Sequence, residues 1–227
     1  SANKAIRESD LIFAVGTRFN DRIRCCFQSK NFEKQLIHID INEAEISRII
    51  SASISIIGDA KNVLSKMLAY VKLSEPAVHS DWTCSLKKEE LTPLKRTSVM
   101  HSFEVIQEIN NCLKDKNLVI TTEVGQHQVW AARYLQFNSP RKFLTSGGLG
   151  TMGYGLGACI GAKVGRKDKT VVNIAGDGCF RMNMNEVATA TRYNIPIIEV
   201  IFNNHVLGMV RQWQDLFYGK RYSATVL

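Results

Sequence analysis

The sequence predicts an α/β fold with two doubly wound parallel-sheet segments. Short and nearly continuous apolar runs recur along the chain, as in strands that are covered on both faces. Stretches with apolar residues at helical spacing lie between several of these runs. Regular alternation of strand and helix is typical of parallel sheets with helices on both sides. The runs end in polar or glycine residues, where loops at the sheet edge are expected.

The first segment covers residues 1–73 and contains three predicted strands. Apolar runs at 10–16 and 35–41 predict two of them, and a shorter run at 54–58 predicts the third. The helix predicted at 60–71 carries apolar residues at helical spacing.

Residues 74–100 interrupt the alternation and are predicted to link the two segments. They contain Pro76 and Pro93 and show no sustained strand pattern. A short helix at 82–90 is expected within this linker.

The second segment covers residues 101–227 and returns to the alternating pattern. Ser102 is predicted to cap a helix at 103–113. A glycine-dense run occupies 147–157, and a further helix is expected shortly before the last residue. The other predicted elements alternate from strand to helix, at 117–122, 126–135, 170–175, 184–193 and 196–202.

Composition excludes several classes of protein. The chain has 227 residues, 45% of them apolar, and a formal net charge of +8. No apolar run approaches the roughly 20 residues of a membrane span. Lysine and arginine are scattered without interleaved aromatic residues, which argues against a nucleic-acid partner. The first residues lack both a secretory-signal profile and an initiator methionine, so an excised or processed segment is expected.

The six cysteines do not form a C-x-x-C pair. Several lie inside apolar patterns, where cysteine behaves as a small hydrophobic residue. Buried, reduced thiols are therefore expected, which favours a reducing compartment.

Two short polar motifs follow neighbouring predicted strands of the second segment. One is Gly176-Asp177-Gly178, and the other, after 24 intervening residues, is Asn203-Asn204. The carboxyl ends of parallel strands meet at one sheet edge, so Asp177 and Asn204 can converge. Their oxygen atoms suit Mg²⁺, which commonly keeps phosphate oxygens among its ligands. Glycine at either side allows backbone N–H groups to approach a phosphate.

This pair of motifs resembles the fingerprint of thiamine-diphosphate enzymes and matches it without a gap. Three further blocks, in the same order, resemble biosynthetic acetolactate synthases (acetohydroxyacid synthases), at 123–132, 144–156 and 207–214. The resemblance covers most of the second segment. It implies that residues 101–227 are the diphosphate-binding domain of such an enzyme, truncated at its C-terminal end.

The resemblance also implies roles for individual residues around the cofactor. Asp177, the side chain of Asn204 and the main-chain carbonyl of Val206 would hold Mg²⁺. The remaining thiamine-diphosphate contacts would come from Gln126, His127, Gly150, Met152, Gly176, Gly178, Cys179 and Asn204. Positions beside the substrate pocket would be Met182, Met209 and Trp213. Met152 would lie under the bent cofactor, and Trp213 would relate to the preference for 2-ketobutyrate.

Nine residues of the first segment resemble positions where the family's central domain contacts FAD. They are Gly16, Thr17, Arg18, Phe19, Asn20, Asp40, Ile41, Asp59 and Ala60.

Four positions depart from the family pattern. Asn20 replaces the usual aspartate, Ala175 an acidic residue, Cys179 a small polar residue and Gly157 a common proline. A thiol is a poorer donor than a hydroxyl, so backbone contacts to the diphosphate are expected at Cys179.

The implied reaction joins pyruvate to a second 2-keto acid, giving 2-acetolactate or 2-aceto-2-hydroxybutyrate in branched-chain amino-acid biosynthesis. Implied cofactors are thiamine diphosphate, Mg²⁺ and FAD. The family's ylid-forming glutamate lies on an N-terminal domain of a neighbouring subunit, so no catalytic residue is expected in these 227 residues and they should be inactive alone. The resemblance implies a homo-oligomer, possible association with a regulatory subunit, and no membrane. The protein would be cytoplasmic in a prokaryote or organellar in a eukaryote.

Three alternatives stay open from the sequence. A related flavin-associated carboligase, such as a glyoxylate carboligase, is disfavoured by Gln212-Trp213. A non-catalytic cofactor-binding module or a split subunit would carry the same motifs. A dehydrogenase-like nucleotide domain lacks support, because no G-x-G-x-x-G turn directly follows a strand with an acidic residue about 20 positions later.

Overall fold

The computed structural model describes residues 2–20, 34–71, 81–88, 100–114, 116–137 and 139–227. The chain divides into two compact units, residues 1–95 and 96–227. No helix within the described ranges is long and apolar enough to cross a membrane.

The first unit contains a parallel three-stranded sheet in the order β1-β2-β3. Its elements are α1 (Ala2–Glu8), β1 (Leu11–Val15), β2 (Gln35–Asp40), β3 (Ile54–Ile57), α2 (Ala60–Val71) and α3 (Asp81–Lys88), with a short 3-10 turn at Glu43–Glu45. The three predicted strands and the helix at 60–71 are confirmed. Residues 21–33, 72–80 and 89–99 lie outside the described part, and so does most of the predicted linker.

The core of the first unit is small. Ala14, Phe19 and Leu36 form its buried cluster. On β1, Leu11 is 46% exposed and Phe13 43% exposed. The expectation of strands covered on both faces is therefore wrong for β1 within the described residues.

The second unit contains a parallel four-stranded sheet in the order β5-β4-β6-β7. Its elements are α4 (Ser102–Leu113), β4 (Leu118–Thr122), α5 (Gln126–Tyr134), β5 (Phe143–Thr145), α6 (Tyr154–Gly165), β6 (Thr170–Gly176), α7 (Asp177–Asn183), α8 (Val187–Arg192), β7 (Ile198–Phe202) and α9 (Gly208–Phe217). After β5 the chain crosses to the other side of β4. The strand order therefore reverses between β4 and β6, where such folds open a crevice at the carboxyl ends of the strands.

Helices cover both faces of the second sheet, as a doubly wound fold requires. On one face, Ile120 and Val172 pack with Ile106 of α4 and Ala131 of α5. On the other face, the neighbouring strand residues Val119 and Val171 pack with Cys159 of α6. The predicted fold class is confirmed for this unit.

Several local predictions need correction. The cap of α4 is His101 and not Ser102, which is the first helical residue; Glu104 accepts a hydrogen bond from the His101 N–H at 2.8 Å. The helix predicted at 184–193 begins earlier, at Asp177, and is interrupted by the 3-10 turn Met184–Glu186 before α8. Strand β5 and helix α6 were not predicted.

The cysteines only partly follow the prediction. Cys159 and Cys179 are buried, but Cys84 and Cys112 are exposed, so the expectation of buried thiols is wrong for the latter two. Cys25 and Cys26 lie outside the described residues.

Candidate metal and diphosphate site

A cleft opens at the carboxyl edge of the second sheet, where β4, β6 and β7 end. It is lined by the ends of β6 and β7, the loops after β4 and β7, the loop before α6, and the helices α5, α7 and α9. The lining residues are Val124, Gly125, Gln126, His127, Trp130, Met152, Gly176, Asp177, Gly178, Cys179, Phe202, Asn204, Val206, Leu207, Gly208, Met209 and Val210. It brings together ten of the residues predicted for the cofactor, the metal and the substrate. It lies at the point where the strand order reverses.

Asp177 and Asn204 converge as predicted. The Asp177 carboxylate accepts a hydrogen bond from the backbone N–H of His205 at 2.8 Å, and His205 directly follows Asn204. The other Asp177 oxygen accepts from the N–H of Gly178 at 3.0 Å. Asp177 is only 9% exposed. Its carboxylate is therefore largely shielded from solvent and is held by two backbone N–H groups.

The Asn204 side chain shapes the loop between β7 and α9. Its Oδ1 atom accepts a hydrogen bond from the N–H of Val206 at 3.1 Å. His205, between them, has a φ of +59°, a left-handed conformation that turns the chain sharply. The loop therefore places the Asn204 amide and the Val206 backbone next to Asp177.

The oxygen atoms of this constellation fit a hard divalent cation. Each carboxylate and amide oxygen has two lone pairs, and the backbone hydrogen bonds of Asp177 and Asn204 leave capacity for a metal. No group of three or more His, Cys, Asp or Glu side chains suited to a metal occurs among the described residues. The donor set that the sequence predicts, one carboxylate, one amide and one backbone carbonyl, is of the kind that suits Mg²⁺ sharing phosphate oxygens.

His127 lies in the first turn of α5 and is 5% exposed. Burial lowers the pKa of its imidazole to about 4, although the backbone carbonyl of Glu123 and the charge of Asp177 oppose the shift. The Nε2 atom is buried without a hydrogen-bond partner. A buried unpaired nitrogen in a cleft is costly and indicates a polar ligand for this atom.

Glycine at the end of β6 allows a close approach to the cleft. A Cβ atom at Gly176 would lie 3.1 Å from the His127 ring. A Cβ at Gly178 would lie 2.9 Å from Leu207 and 3.0 Å from Leu227. Only glycine fits these positions without displacing neighbours.

The Cys179 thiol is not available to donate a hydrogen bond to a phosphate. It is 2% exposed and donates to the backbone carbonyl of Val124 at 3.0 Å. Burial raises the pKa of this thiol to about 11, so it stays protonated. A diphosphate contact at Cys179 would therefore come from its backbone N–H, as expected from the sequence.

Gln126 is packed against the start of α9. Its Nε2 atom donates to Gln212 at 3.1 Å, and a Cβ at Gly208 would lie 2.4 Å from its Oε1. The start of α5 is thereby bonded to the helix after β7. The sequence did not predict this contact, which joins residues 86 positions apart.

The glycine-dense run leads into α6, and Glu123 holds the start of that helix. The carboxylate of Glu123 accepts from the N–H of Gly153 at 2.8 Å and from that of Leu156 at 3.0 Å. Glu123 is fully buried, and burial raises the pKa of its carboxyl. Met152, one residue before the capped turn, lies in the cleft. Gly150, with a φ of +66°, does not line it.

The three predicted substrate residues separate into two groups. Met209 lines the cleft at the start of α9. Met182 is 54% exposed and Trp213 46% exposed, and neither lines the cleft in the described structure. The Trp213 ring instead lies 5.0 Å from that of Phe217, centroid to centroid.

Sequence reasoning missed the aromatic wall of the cleft. The rings of Trp130 and Phe202 pack against each other with centroids 5.5 Å apart, and both line the cleft. Trp130 lies on α5, within the block at 123–132, and Phe202 lies at the end of β7, but no site role was predicted for either residue.

In the first unit, all residues predicted for FAD lie at or just after the carboxyl ends of its strands. Residues 16–20 follow β1, Ile41 follows Asp40 at the end of β2, and Asp59 and Ala60 follow β3. Because the strands are parallel, these loops share one sheet edge.

The residues predicted for FAD also make contacts within the first unit. Thr17 offers its carbonyl to Nε2 of His38 at 3.1 Å, and Phe19, with a φ of +45°, packs edge-on against the same ring. The Asp40 side chain accepts from the N–H of Asn42 at 2.8 Å. Asp59 caps α2 by accepting from the N–H of Asn62 at 3.0 Å, and Ile41 is 73% exposed.

Two family models match the chain, one for each unit. The thiamine pyrophosphate enzyme central domain matches residues 1–67, and the thiamine pyrophosphate enzyme C-terminal TPP binding domain matches residues 123–227. Thiamine pyrophosphate is another name for thiamine diphosphate. The cleft, with Asp177 and Asn204, lies within the second match. The chain therefore belongs to the thiamine pyrophosphate enzymes.

Within that class, the chain is homologous to acetolactate synthase large subunits over nearly its whole length. It is 44% identical to the probable acetolactate synthase large subunit of Methanocaldococcus jannaschii, over 98% of this chain and 39% of that protein. It is 41% identical to the acetolactate synthase large subunit of Buchnera aphidicola subsp. Schizaphis graminum, over 98% and 40%. Acetolactate synthase 1, chloroplastic, of Nicotiana tabacum is 40% identical over 100% of this chain and 35% of that protein. The chain thus spans 35–40% of the length of these relatives.

Proposed function

We propose that this chain supplies the Mg²⁺- and diphosphate-binding part of the cofactor site of an acetolactate synthase. The observation that carries the proposal is the hydrogen bond from His205 to Asp177, which brings the Gly-Asp-Gly and Asn-Asn motifs together in one cleft. Asp177, Asn204 and the Val206 carbonyl would hold the metal. Thiamine diphosphate would supply the carbanion chemistry, and the residues of the cleft would bind and orient it.

The cleft also offers groups for the diphosphate. Cys179 lines the cleft at the start of α7 and would offer its backbone N–H, whereas the Gly178 N–H already donates to Asp177. The unpartnered Nε2 of His127 lies in the same cleft. A bound diphosphate would favour the protonated imidazole, which donates hydrogen bonds from both ring nitrogens. Gln126 and Met152 line the cleft and would contact other parts of the cofactor.

For the whole protein we propose the carboligation of pyruvate with pyruvate or 2-ketobutyrate. The relatives named acetolactate synthase support this reaction. Met209 lies in the cleft beside the proposed cofactor, whereas Met182 and Trp213 would act in a site completed by other parts of the enzyme. Relatives named large subunits support a small regulatory partner and an oligomeric enzyme.

We further propose that the first unit contributes to an FAD site. Its support is the shared sheet edge of residues 16–20, Asp40–Ile41 and Asp59–Ala60. Flavin fluorescence quenching on titration of FAD into the purified whole enzyme, with and without Asp40→Asn, would test this assignment. We assign residues 74–100 to a linker between the two cofactor-binding parts.

The metal assignment is tested on the 227-residue chain with Mn²⁺ in place of Mg²⁺. Free Mn²⁺ is measured by electron paramagnetic resonance in the presence of thiamine diphosphate. Asp177→Asn should weaken Mn²⁺ binding at least about tenfold, or about 1.4 kcal/mol, since the charged carboxylate ligand is replaced by a neutral amide. The matched control is Asp168→Asn, an exposed carboxylate paired with Arg166. Equal affinities of the wild type and Asp177→Asn would refute the assignment.

The activity proposal has its own test. Purified chain with pyruvate, thiamine diphosphate and Mg²⁺ should form no acetolactate, whereas a full-length enzyme that contains this chain should form it. Acetolactate produced by the 227 residues alone would show that the proposed need for further residues is wrong.

A further inference from the structure

Residues 218–227, which we call the return segment, run back from the end of α9 to the loop that precedes α9. Val226 forms an antiparallel bridge with Val206. On either side of the bridge, the N–H of Leu207 donates to Thr225 at 2.7 Å and the N–H of Leu227 donates to His205 at 2.9 Å. The return segment therefore holds the loop that carries the proposed metal ligands Asn204 and Val206.

The return segment is also fastened to α9. The Gln214 side chain donates to the Ser223 carbonyl at 2.9 Å and accepts from the Ser223 N–H at 3.3 Å. The Tyr222 hydroxyl donates to Asp215 at 2.8 Å, and the Arg211 guanidinium lies 3.9 Å above the Tyr222 ring. These contacts fix the path of the segment before it reaches the metal loop.

The same segment reaches the other half of the metal constellation. Leu227 lies so close to Gly178 that a Cβ there would be 3.0 Å from its Cδ1 atom. Gly178 donates its N–H to Asp177. The return segment thus contacts both the loop after β7 and the helix start after β6.

The directions of the backbone N–H and C=O groups explain how the return segment acts on the proposed metal site. In a trans peptide bond the C=O and N–H groups point in opposite directions. The Leu207 N–H points to the return segment, where it donates to Thr225, so the Val206 carbonyl of the same peptide points away from it. Val206 lines the cleft. Fixing the His205 and Leu207 bonds therefore fixes the orientation of the one backbone carbonyl proposed as a metal ligand.

We propose that the return segment is a positioning element for the metal site, with the Leu227 N–H and side chain as its main contacts. The inference rests on the proposed function, because it assigns Val206 to the metal. A single backbone hydrogen bond contributes about 0.5–1.5 kcal/mol, or roughly a two- to tenfold change in an equilibrium constant. Loss of the Leu227 bond should weaken metal binding by about that factor without removing any metal ligand.

The test compares two proline variants of the whole chain. Leu227→Pro removes the N–H that donates to His205. Val226→Pro is the matched control, because the bonds beside the bridge come from its two neighbours and the Val226 N–H points away from the loop. Mn²⁺ affinity is measured with thiamine diphosphate by electron paramagnetic resonance, and hydrogen exchange of the Leu207 amide is followed in the metal-free chain.

The expected result is about fivefold weaker Mn²⁺ binding and faster Leu207 exchange in Leu227→Pro, with little change in Val226→Pro. Unchanged Mn²⁺ affinity together with faster Leu207 exchange would overturn the inference and leave the proposed function intact. If the wild-type chain takes up no Mn²⁺, the proposed function fails, and the inference fails with it. Should circular dichroism show that Leu227→Pro is unfolded, Leu227→Ala decides: weaker Mn²⁺ binding supports positioning, and equal binding refutes it.

Discussion

Glu199 should make the stability of the second unit depend on pH. It lies on β7, where one carboxylate oxygen accepts from the Asn173 side chain at 2.7 Å and the other is buried without a partner. Burial raises the pKa of Glu199 to about 7; the Asn173 amide opposes the shift and the charge of Glu123 adds to it. The folded chain therefore keeps this proton up to about pH 7, whereas the unfolded chain loses it near the ordinary glutamate pKa of 4.5.

The sign of the effect follows from proton binding. Between about pH 4.5 and 7 the folded state binds more protons than the unfolded state, so the free energy of unfolding falls as pH rises. The full shift of this pKa corresponds to at most about 3.4 kcal/mol. Glu199 is half-buried, and screening by solvent reduces the expected loss to about 1–2 kcal/mol.

The assay is urea unfolding of Glu199→Gln at pH 5, 6, 7 and 8, followed by tryptophan fluorescence in a Trp82→Phe background. Trp82 belongs to the first unit, so the remaining signal comes from Trp130 and Trp213 of the second. The variant should match the parent at pH 5 and exceed it by about 1–2 kcal/mol at pH 8. Glu108→Gln, which changes an exposed carboxylate, should show no such trend. A constant difference between Glu199→Gln and its parent from pH 5 to 8 would refute the reasoning.

Two further predictions concern packing and thiol reactivity. Gly155→Ala should destabilise the second unit by roughly 2–4 kcal/mol in urea unfolding, because the added Cβ would lie 2.5 Å from the Asn173 Oδ1 atom. Gly157→Ala, with nothing within 4 Å, should stabilise α6 by about 0.5–1 kcal/mol, and similar losses in both variants would contradict the packing argument. Alkylation followed by peptide mass spectrometry should modify Cys112 in the folded chain but Cys159 only after unfolding, since burial raises the pKa of Cys159 to about 12. Rapid labelling of Cys159 in the native chain would show that its site opens readily.

The sequence was sufficient to predict the parallel sheet and the meeting of two motifs at its edge. Strand periodicity is local, and parallel strands necessarily end on the same side. Asp177 and Asn204 therefore had to approach each other once β6 and β7 were recognised as neighbours. The hydrogen bond from His205 to Asp177 is the outcome of that topology.

Features that depend on distant contacts could not be predicted. Helix α6 starts inside a glycine-dense run, where local propensity argues against a helix. It forms there because Glu123, 30 positions before Gly153, caps its first turn, and because Gly155 packs closely on Asn173. The pairing of residues 225–227 with the loop after β7 likewise leaves no periodic pattern in the sequence.

The buried glutamates of the second unit clarify what this chain contributes to the proposed reaction. Both carboxylate oxygens of Glu123 accept N–H groups at the start of α6, so this residue stabilises a helix and is not available as a proton donor to a cofactor. Glu199 contacts Asn173 within the sheet, three residues before β7 ends at Phe202, or about 10 Å from the carboxyl edge. The ylid-forming glutamate implied by the family therefore has to be a residue other than these two. This geometry supports the proposal that the chain binds the metal and diphosphate but depends on other parts of the enzyme for proton transfer at the thiazolium.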